Sequence, residues 1–136
     1  MKNINKLFVF VMVMVVMVLV PACKKADIDP VEQDDVQFVS VNSVVTARYD
    51  GFADVTTTFK FRVRASAFTR LEGEVHIGNQ TRLFGADVPN SNGQWLDVFN
   101  EYQTIPDFGI IEVSGYVVLK STGKRVDIPA TSFTIQ

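Results

Sequence analysis

The chain has a single cysteine, Cys23, a single histidine, His76, and a single tryptophan, Trp95, in 136 residues. One cysteine excludes an intrachain disulfide and any cysteine-based metal set, so a domain in this chain must be held by its own apolar core. No His/Cys/Asp cluster has metal-ligand spacing, no serine sits in a nucleophile-elbow context and no glycine-rich phosphate loop is present. A basic excess is also missing, with 13 basic against 15 acidic residues, which removes the electrostatic footprint of a nucleic-acid binder. No segment carries an amphipathic-helix pattern. The longest apolar run, Leu7–Val20, is 14 residues, whereas a spanning helix needs about 20, which argues against a stable transmembrane anchor.

What is there begins with that run. Lys2 and Lys6 precede it and Val20-Pro21-Ala22-Cys23 follows it. A positive start, a short apolar middle and a small residue before the cut site are the parts of a secretory signal peptide. Val20, Ala22 and Cys23 resemble the lipobox of bacterial lipoproteins, and Pro21 departs from it in the most tolerant slot. The resemblance implies that Cys23 is lipidated and becomes the first residue of the mature protein. A multiply acylated cysteine gives stable membrane anchoring, at about 0.8 kcal/mol per buried methylene, where one chain would not. It also implies a place in the bacterial cell envelope, with the outer membrane as the expected bilayer and its periplasmic or surface side left open.

Removing residues 1–22 leaves 114, enough for one domain. The mature chain would carry eleven basic and fifteen acidic side chains, a net of −4. From Lys24 to Asp35 the sequence holds two basic and five acidic residues and one proline. Such a segment cannot bury enough surface to offset its ordering entropy. The expected organisation is therefore a signal peptide (1–22), a lipidated cysteine with a flexible tether (23–35) and a β-domain (36–136).

From Val36 onward the pattern has period two. Val55, Thr57, Phe59, Phe61, Val63, Ala65 and Ala67 fall on one face, with Thr56, Thr58, Lys60, Arg62, Arg64 and Ser66 on the other. Successive side chains of a strand point to opposite faces, so this is a half-buried strand. Leu71, Gly73, Val75 and Ile77 repeat the pattern against Glu72, Glu74 and His76. A hairpin through Phe68-Thr69-Arg70 would set Arg64 opposite Glu74, whereas a sandwich could send the two strands to different sheets. The other expected strands are 36–49, broken near Asn42-Ser43, then 81–84, 94–102, 110–120 and 125–136. Asp50-Gly51, Gly78-Asn79-Gln80 and Ser121-Thr122-Gly123 read as turns and Gly85–Gly93 as a loop. In the last strand the apolar parity slips at Pro129, which suits an edge strand with a bulge.

About seven short strands in 100 residues predict an all-β fold, a single antiparallel β-sandwich. It resembles immunoglobulin-like and fibronectin-type domains in architecture. Asp107-Phe108-Gly109 falls where many such domains carry an Asp-x-Gly step before a tyrosine and a cysteine. Here those two slots hold Ile111 and Val113, and Val75 stands nearest to the expected tryptophan.

Four features invite a functional reading. His76 lies beside Glu74 on the outer side, where a solvated strand residue is the simpler reading than a general base. Asp87, Asn90, Asn92 and Gly93 superficially match a calcium loop, but setting Gly93 sixth puts Val88 first and Phe99 twelfth, and both ends fail. Lys60, Arg62 and Arg64 form a basic stripe that Glu72 and Glu74 could neutralise. Trp95, Asp97, Phe99 and Glu101 share one face, with Leu96, Val98, Asn100 and Tyr102 on the other. With Leu96 and Val98 in the core, the first four form an exposed aromatic and acidic face suited to stacking on sugar. The opposite parity buries Trp95 and Phe99, and the usual burial of large aromatics favours it.

These observations together lead to the expectation of a lipid-anchored, non-enzymatic binding or interaction module of the bacterial envelope. It needs no cofactor and no metal. Its partners would be the membrane, through Cys23, and a protein or glycan ligand, without nucleic acid. A carbohydrate-binding module using Trp95, Asp97, Phe99 and Glu101 is the alternative, and a structural accessory subunit of an envelope complex the second.

Overall fold

The structure, a computed structural model, describes residues 33–136. The signal peptide, Cys23 and most of the tether lie outside the described residues. At the tether's end, the Asp34 carboxylate accepts hydrogen bonds from the Ser66 amide at 2.8 Å and its hydroxyl at 2.7 Å. Asp35 already belongs to the first strand.

Seven strands follow in order: β1 (Asp35–Arg48), β2 (Ala53–Arg64), β3 (Thr69–Ile77), β4 (Gln80–Val88), β5 (Leu96–Thr104), β6 (Gly109–Leu119) and β7 (Lys124–Ile135). They build a three-stranded sheet, β1-β2-β5, and a four-stranded sheet, β4-β3-β6-β7. Every pairing is antiparallel. The protein is thus a single antiparallel β-sandwich. In constant-type immunoglobulin domains the fourth strand lies beside the fifth. Here β4 pairs with β3 instead, in the other sheet.

The two faces of β2 follow from its alternation. Phe59, Phe61 and Val63 are buried, while Arg62 is exposed and Lys60 and Arg64 are partly so. The phenyl ring of Phe61 packs edge-on against Phe38 of β1, with centroids 5.7 Å apart, and against Phe84 of the opposite sheet at 5.2 Å. Leu71, Val75, Val113, Val117 and Leu119 complete the facing layer at zero exposure. Buried aromatics of this kind contribute roughly 0.5–1.5 kcal/mol per edge-on pair beyond their area.

Several sequence expectations are corrected. β1 is not broken at Asn42-Ser43 but runs through, because Ser43 turns inward and its hydroxyl pairs with that of Thr57 at 2.8 Å. Its irregularities lie at Phe38/Ser40 and Val45/Ala47 instead. β2 and β3 do not form a hairpin; they belong to different sheets, so Arg64 does not face Glu74. β2 ends at Arg64, which leaves Ala67 exposed on the crossover. β4 runs to Val88 rather than stopping at Phe84, since Gly85, Ala86 and Asp87 keep pairing with β3. Pro129 does lie on an edge strand: β7 closes the sheet, and Ile128 and Thr131 pair with Gly115 and Val113 across a bulge.

That bulge depends on Gly115, whose φ is 142° and where an added Cβ would stand 2.2 Å from the Glu74 carbonyl oxygen. Gly115→Ala is therefore expected to break the β3–β6 pairing and leave no cooperative transition. Phe61→Ala is expected to cost about 3–5 kcal/mol as a core truncation. Arg62→Ala, at an exposed position, is expected to stay within about 0.5 kcal/mol. Denaturant melts of residues 33–136 read all three, and equal costs at positions 61 and 62 would reverse the face assignment.

Candidate binding face

β5 settles the parity of the aromatic strand. Leu96, Val98, Asn100 and Tyr102 turn inward and are partly buried, whereas Asp97, Phe99 and Glu101 are exposed and Phe99 keeps 60% of its surface accessible. Trp95, just before the strand, is half-buried. The opposite parity, with Trp95 and Phe99 in the core, is not adopted. β5 is the outermost strand of its sheet, and its inner positions serve the seam with β4 rather than the centre, which Phe59 and Phe61 already fill. The Tyr102 ring meets Phe59 edge-on at 5.8 Å and its hydroxyl donates to the Leu83 carbonyl at 2.9 Å. Asn100 Nδ2 donates to the Gly85 carbonyl at 3.0 Å. Two β5 side chains thus satisfy free edge carbonyls of β4 and join the two sheets along one side.

On the outer face the four candidate residues are not all brought together. The Arg64 guanidinium lies 4.9 Å over the indole of Trp95, a cation–π contact that covers one face of the ring. Asp97 sits between Lys60 at 3.1 Å and Arg62 at 3.5 Å. It is Asp97, not Glu72 or Glu74, that neutralises the basic stripe, because β5 and not β3 is the neighbour of β2. The hydrogen bond from Lys60 holds the Asp97 carboxyl below the usual carboxylate value, against a smaller desolvation, and Arg62 adds to the effect. Glu101 turns toward a different feature, an open groove of about 850 Å³ along the β4–β5 seam that Glu72, Glu74 and Tyr116 also line.

The opposite sheet carries its own ion network. Arg70 reaches Asp87 at 2.8 Å and Glu72 at 3.0 Å, and Lys120 reaches Glu72 at 3.1 Å. Asp87 is therefore engaged by Arg70 and not by a calcium loop. Asn90 accepts the Asn92 amide at 2.9 Å, an ordinary Asx turn. Between them Ser91 is buried, its amide donating to the Ala65 carbonyl at 2.8 Å and its hydroxyl accepting from the Ala65 amide at 3.0 Å. Nothing in the sequence distinguished Ser91 from its neighbours. His76 pairs with the Thr81 hydroxyl at 3.1 Å across the β3–β4 hairpin. Among the described residues no group of three or more His, Cys, Asp or Glu side chains could hold a metal ion.

No family model matches the chain, and no curated protein matches it. Among solved structures the chain is similar to a FixG-related protein from Vibrio parahaemolyticus. The TM-score is 0.47 and the identity 15%, over 80% of this chain and 99% of that one.

Two outcomes follow from these contacts. As the only tryptophan, Trp95 reports its own surroundings, so Arg64→Ala is expected to red-shift its emission and raise iodide quenching. Unchanged quenching would mean that the guanidinium does not shield the ring. Asp97 and Glu72, each lowered chiefly by a lysine hydrogen bond, bind protons more readily once unfolded. Their contribution is present above the ordinary carboxylate range near pH 4 and is lost as the pH falls through their lowered native values. Urea midpoints should fall from about pH 4 downward and less steeply in high salt, because both groups are exposed.

Proposed function

We propose that the protein is a lipid-anchored, non-enzymatic interaction module of the bacterial cell envelope. The observation that carries this reading is the placement of the folded domain. Its first strand begins at Asp35, twelve positions after the lipobox-like Cys23. Twelve residues span up to about 40 Å when extended, enough to hold a sandwich clear of the headgroups. A self-contained core and outer faces that carry cross-strand ion pairs suit a module that presents a shape to a partner protein.

A second reading, glycan binding at the face of Trp95, Asp97, Phe99 and Glu101, is supported by the exposed phenyl ring of Phe99 on the same strand face as Asp97. Arg64 over the indole and the two cations on Asp97 count against it, since a sugar would have to displace them.

Cys23→Ala tests the first reading. The variant is expected to lose incorporation of a fatty-acid probe and to leave the detergent phase on partitioning, whereas label persisting on the variant would refute the anchor. Phe99→Ala tests the second: it should abolish retention on an immobilised glycan array if the face binds sugar and leave it unchanged otherwise.

A further inference from the structure

Strand register sets the outer face of the four-stranded sheet. Glu72 stands between Gly85 of β4 and Val118 of β6, and Glu74 between Leu83 and Tyr116. Arg70 is opposite Asp87 on one side and beside Lys120 on the other, whose amide donates to the Arg70 carbonyl at 3.0 Å. Gly85 gives this face its depth. A Cβ there would stand 2.7 Å from the Arg70 guanidinium, which lies over the bare backbone instead. The open groove of about 850 Å³ crosses these rows and reaches Glu101 and Tyr102 of β5. Its wall is fixed in advance, because the Tyr102 hydroxyl and the Asn100 amide hold the carbonyls of Leu83 and Gly85.

The charge along this groove is unevenly matched. Arg70 binds Glu72 and Asp87 and Lys120 binds Glu72, so two cations and two carboxylates close a neutral network. Glu74 and Glu101 line the groove outside that network. Neither has a hydrogen bond or ion pair to any side chain of the described residues, although Glu74 is half-buried. Arg125 reaches the Tyr116 ring from β7 at 3.9 Å but is itself bound to Asp127 at 2.9 Å. Neither Arg125, Arg82 nor His76 lines the groove. Apolar surface adjoins the two free carboxylates. Leu83 keeps 78% of its surface accessible, the largest share of any large apolar side chain among the described residues, and Val118, Tyr102 and Tyr116 are half-buried. A carboxylate bordered by an aliphatic and an aromatic side chain suits a guanidinium. That group bonds a carboxylate in two places and stacks on rings, and its methylene stem covers apolar surface. A small inorganic cation leaves Leu83 uncovered, and an anionic lipid surface meets two carboxylates without counter-charge.

We propose that this groove binds a partner protein through a short extended segment with two arginines, which meet Glu74 and Glu101 while an apolar side chain between them covers Leu83. The order of the strands sets that spacing, since β4 with Leu83 lies between β3 with Glu74 and the seam to β5 with Glu101. The proposal rests on the reading of the protein as an interaction module and not on its lipid anchor. The fatty-acid labelling of Cys23→Ala and the titration below therefore fail independently.

The test titrates the purified full chain, in mild detergent, into a fluorescein-labelled Gly-Arg-Leu-Arg-Gly peptide and follows its anisotropy. That peptide should bind about tenfold more tightly than one with glutamines in place of the arginines, with a lysine version between them and salt weakening both. Glu74→Gln and Glu101→Gln should each weaken binding about two- to fivefold, the reach of a partly exposed ion pair. Both should leave the melting temperature unchanged, because neither carboxylate has a partner in the fold. Leu83→Ser, at an exposed position, should weaken binding about five- to tenfold with an unchanged circular dichroism spectrum. Glu112→Gln, outside the groove, controls for net charge and should change nothing. Equal affinity for the arginine and glutamine peptides would overturn the proposal, as would an equal loss in Glu112→Gln. Displacement of the peptide by spermidine at the peptide's own concentration would also overturn it, since the ligand would then be a small organic cation. So would sedimentation showing a dimer that Leu83→Ser dissociates, which would make the occupant a second copy of this chain.

Discussion

The sandwich depends on one contact, the phenyl ring of Phe61 wedged between Phe38 in its own sheet and Phe84 in the other. With no disulfide possible, the two sheets are held by interdigitated side chains alone, and the largest of these meet at this point. Phe84 can be there only because β4 pairs with β3 rather than β5, which brings its inner face over β2. The strand-switched topology and the aromatic core are therefore one fact seen at two scales. At the margin, Tyr102 and Asn100 reach from β5 to the carbonyls of Leu83 and Gly85. They close the side that backbone pairing leaves open, and an edge strand with satisfied carbonyls is a poor template for unwanted pairing.

The number of strands, their antiparallel character and the faces of β2 and β3 were legible in the sequence because alternation is a local property. So was the bulge at Pro129, since proline marks an edge. What was not legible is which strand neighbours which. Arg64 could equally have met Glu74 or Trp95 by parity, and only the crossover of β2 to β3 between sheets decides for Trp95. The same ignorance of neighbours assigned the stripe of Lys60 and Arg62 to glutamates of β3 when its partner is Asp97 of β5. For the aromatic strand, general burial statistics favoured the wrong parity. They average over central strands, whereas β5 has a seam to serve on its inner side.

The two ends of the sandwich differ in character. Near Asp35 the contacts are polar: Asp34 with Ser66, Asp35 with Lys124, and Ser91 with the backbone of Ala65. At the far end the exposed side chains of Tyr49, Phe52, Ile105, Phe108 and Ile110 are aromatic and aliphatic. This asymmetry was hidden in the sequence because its members come from two separate connections, each unremarkable alone. The outer faces, by contrast, hold alternating charges that pair across neighbouring strands, and each such exposed pair adds little to stability.

β1 carries a consequence of a different kind. It runs 14 residues without interruption, beginning where the chain arrives and ending at the far end, and pairs with β2 along nearly all of that length. A pull on the amino end of β1 against the rest of the domain acts along this strand. The hydrogen bonds of an antiparallel ladder lie perpendicular to the strands. Such a force loads them all together in shear instead of opening them one at a time like a zipper. The domain's first strand is thus arranged as a mechanical clamp against tension along its own axis.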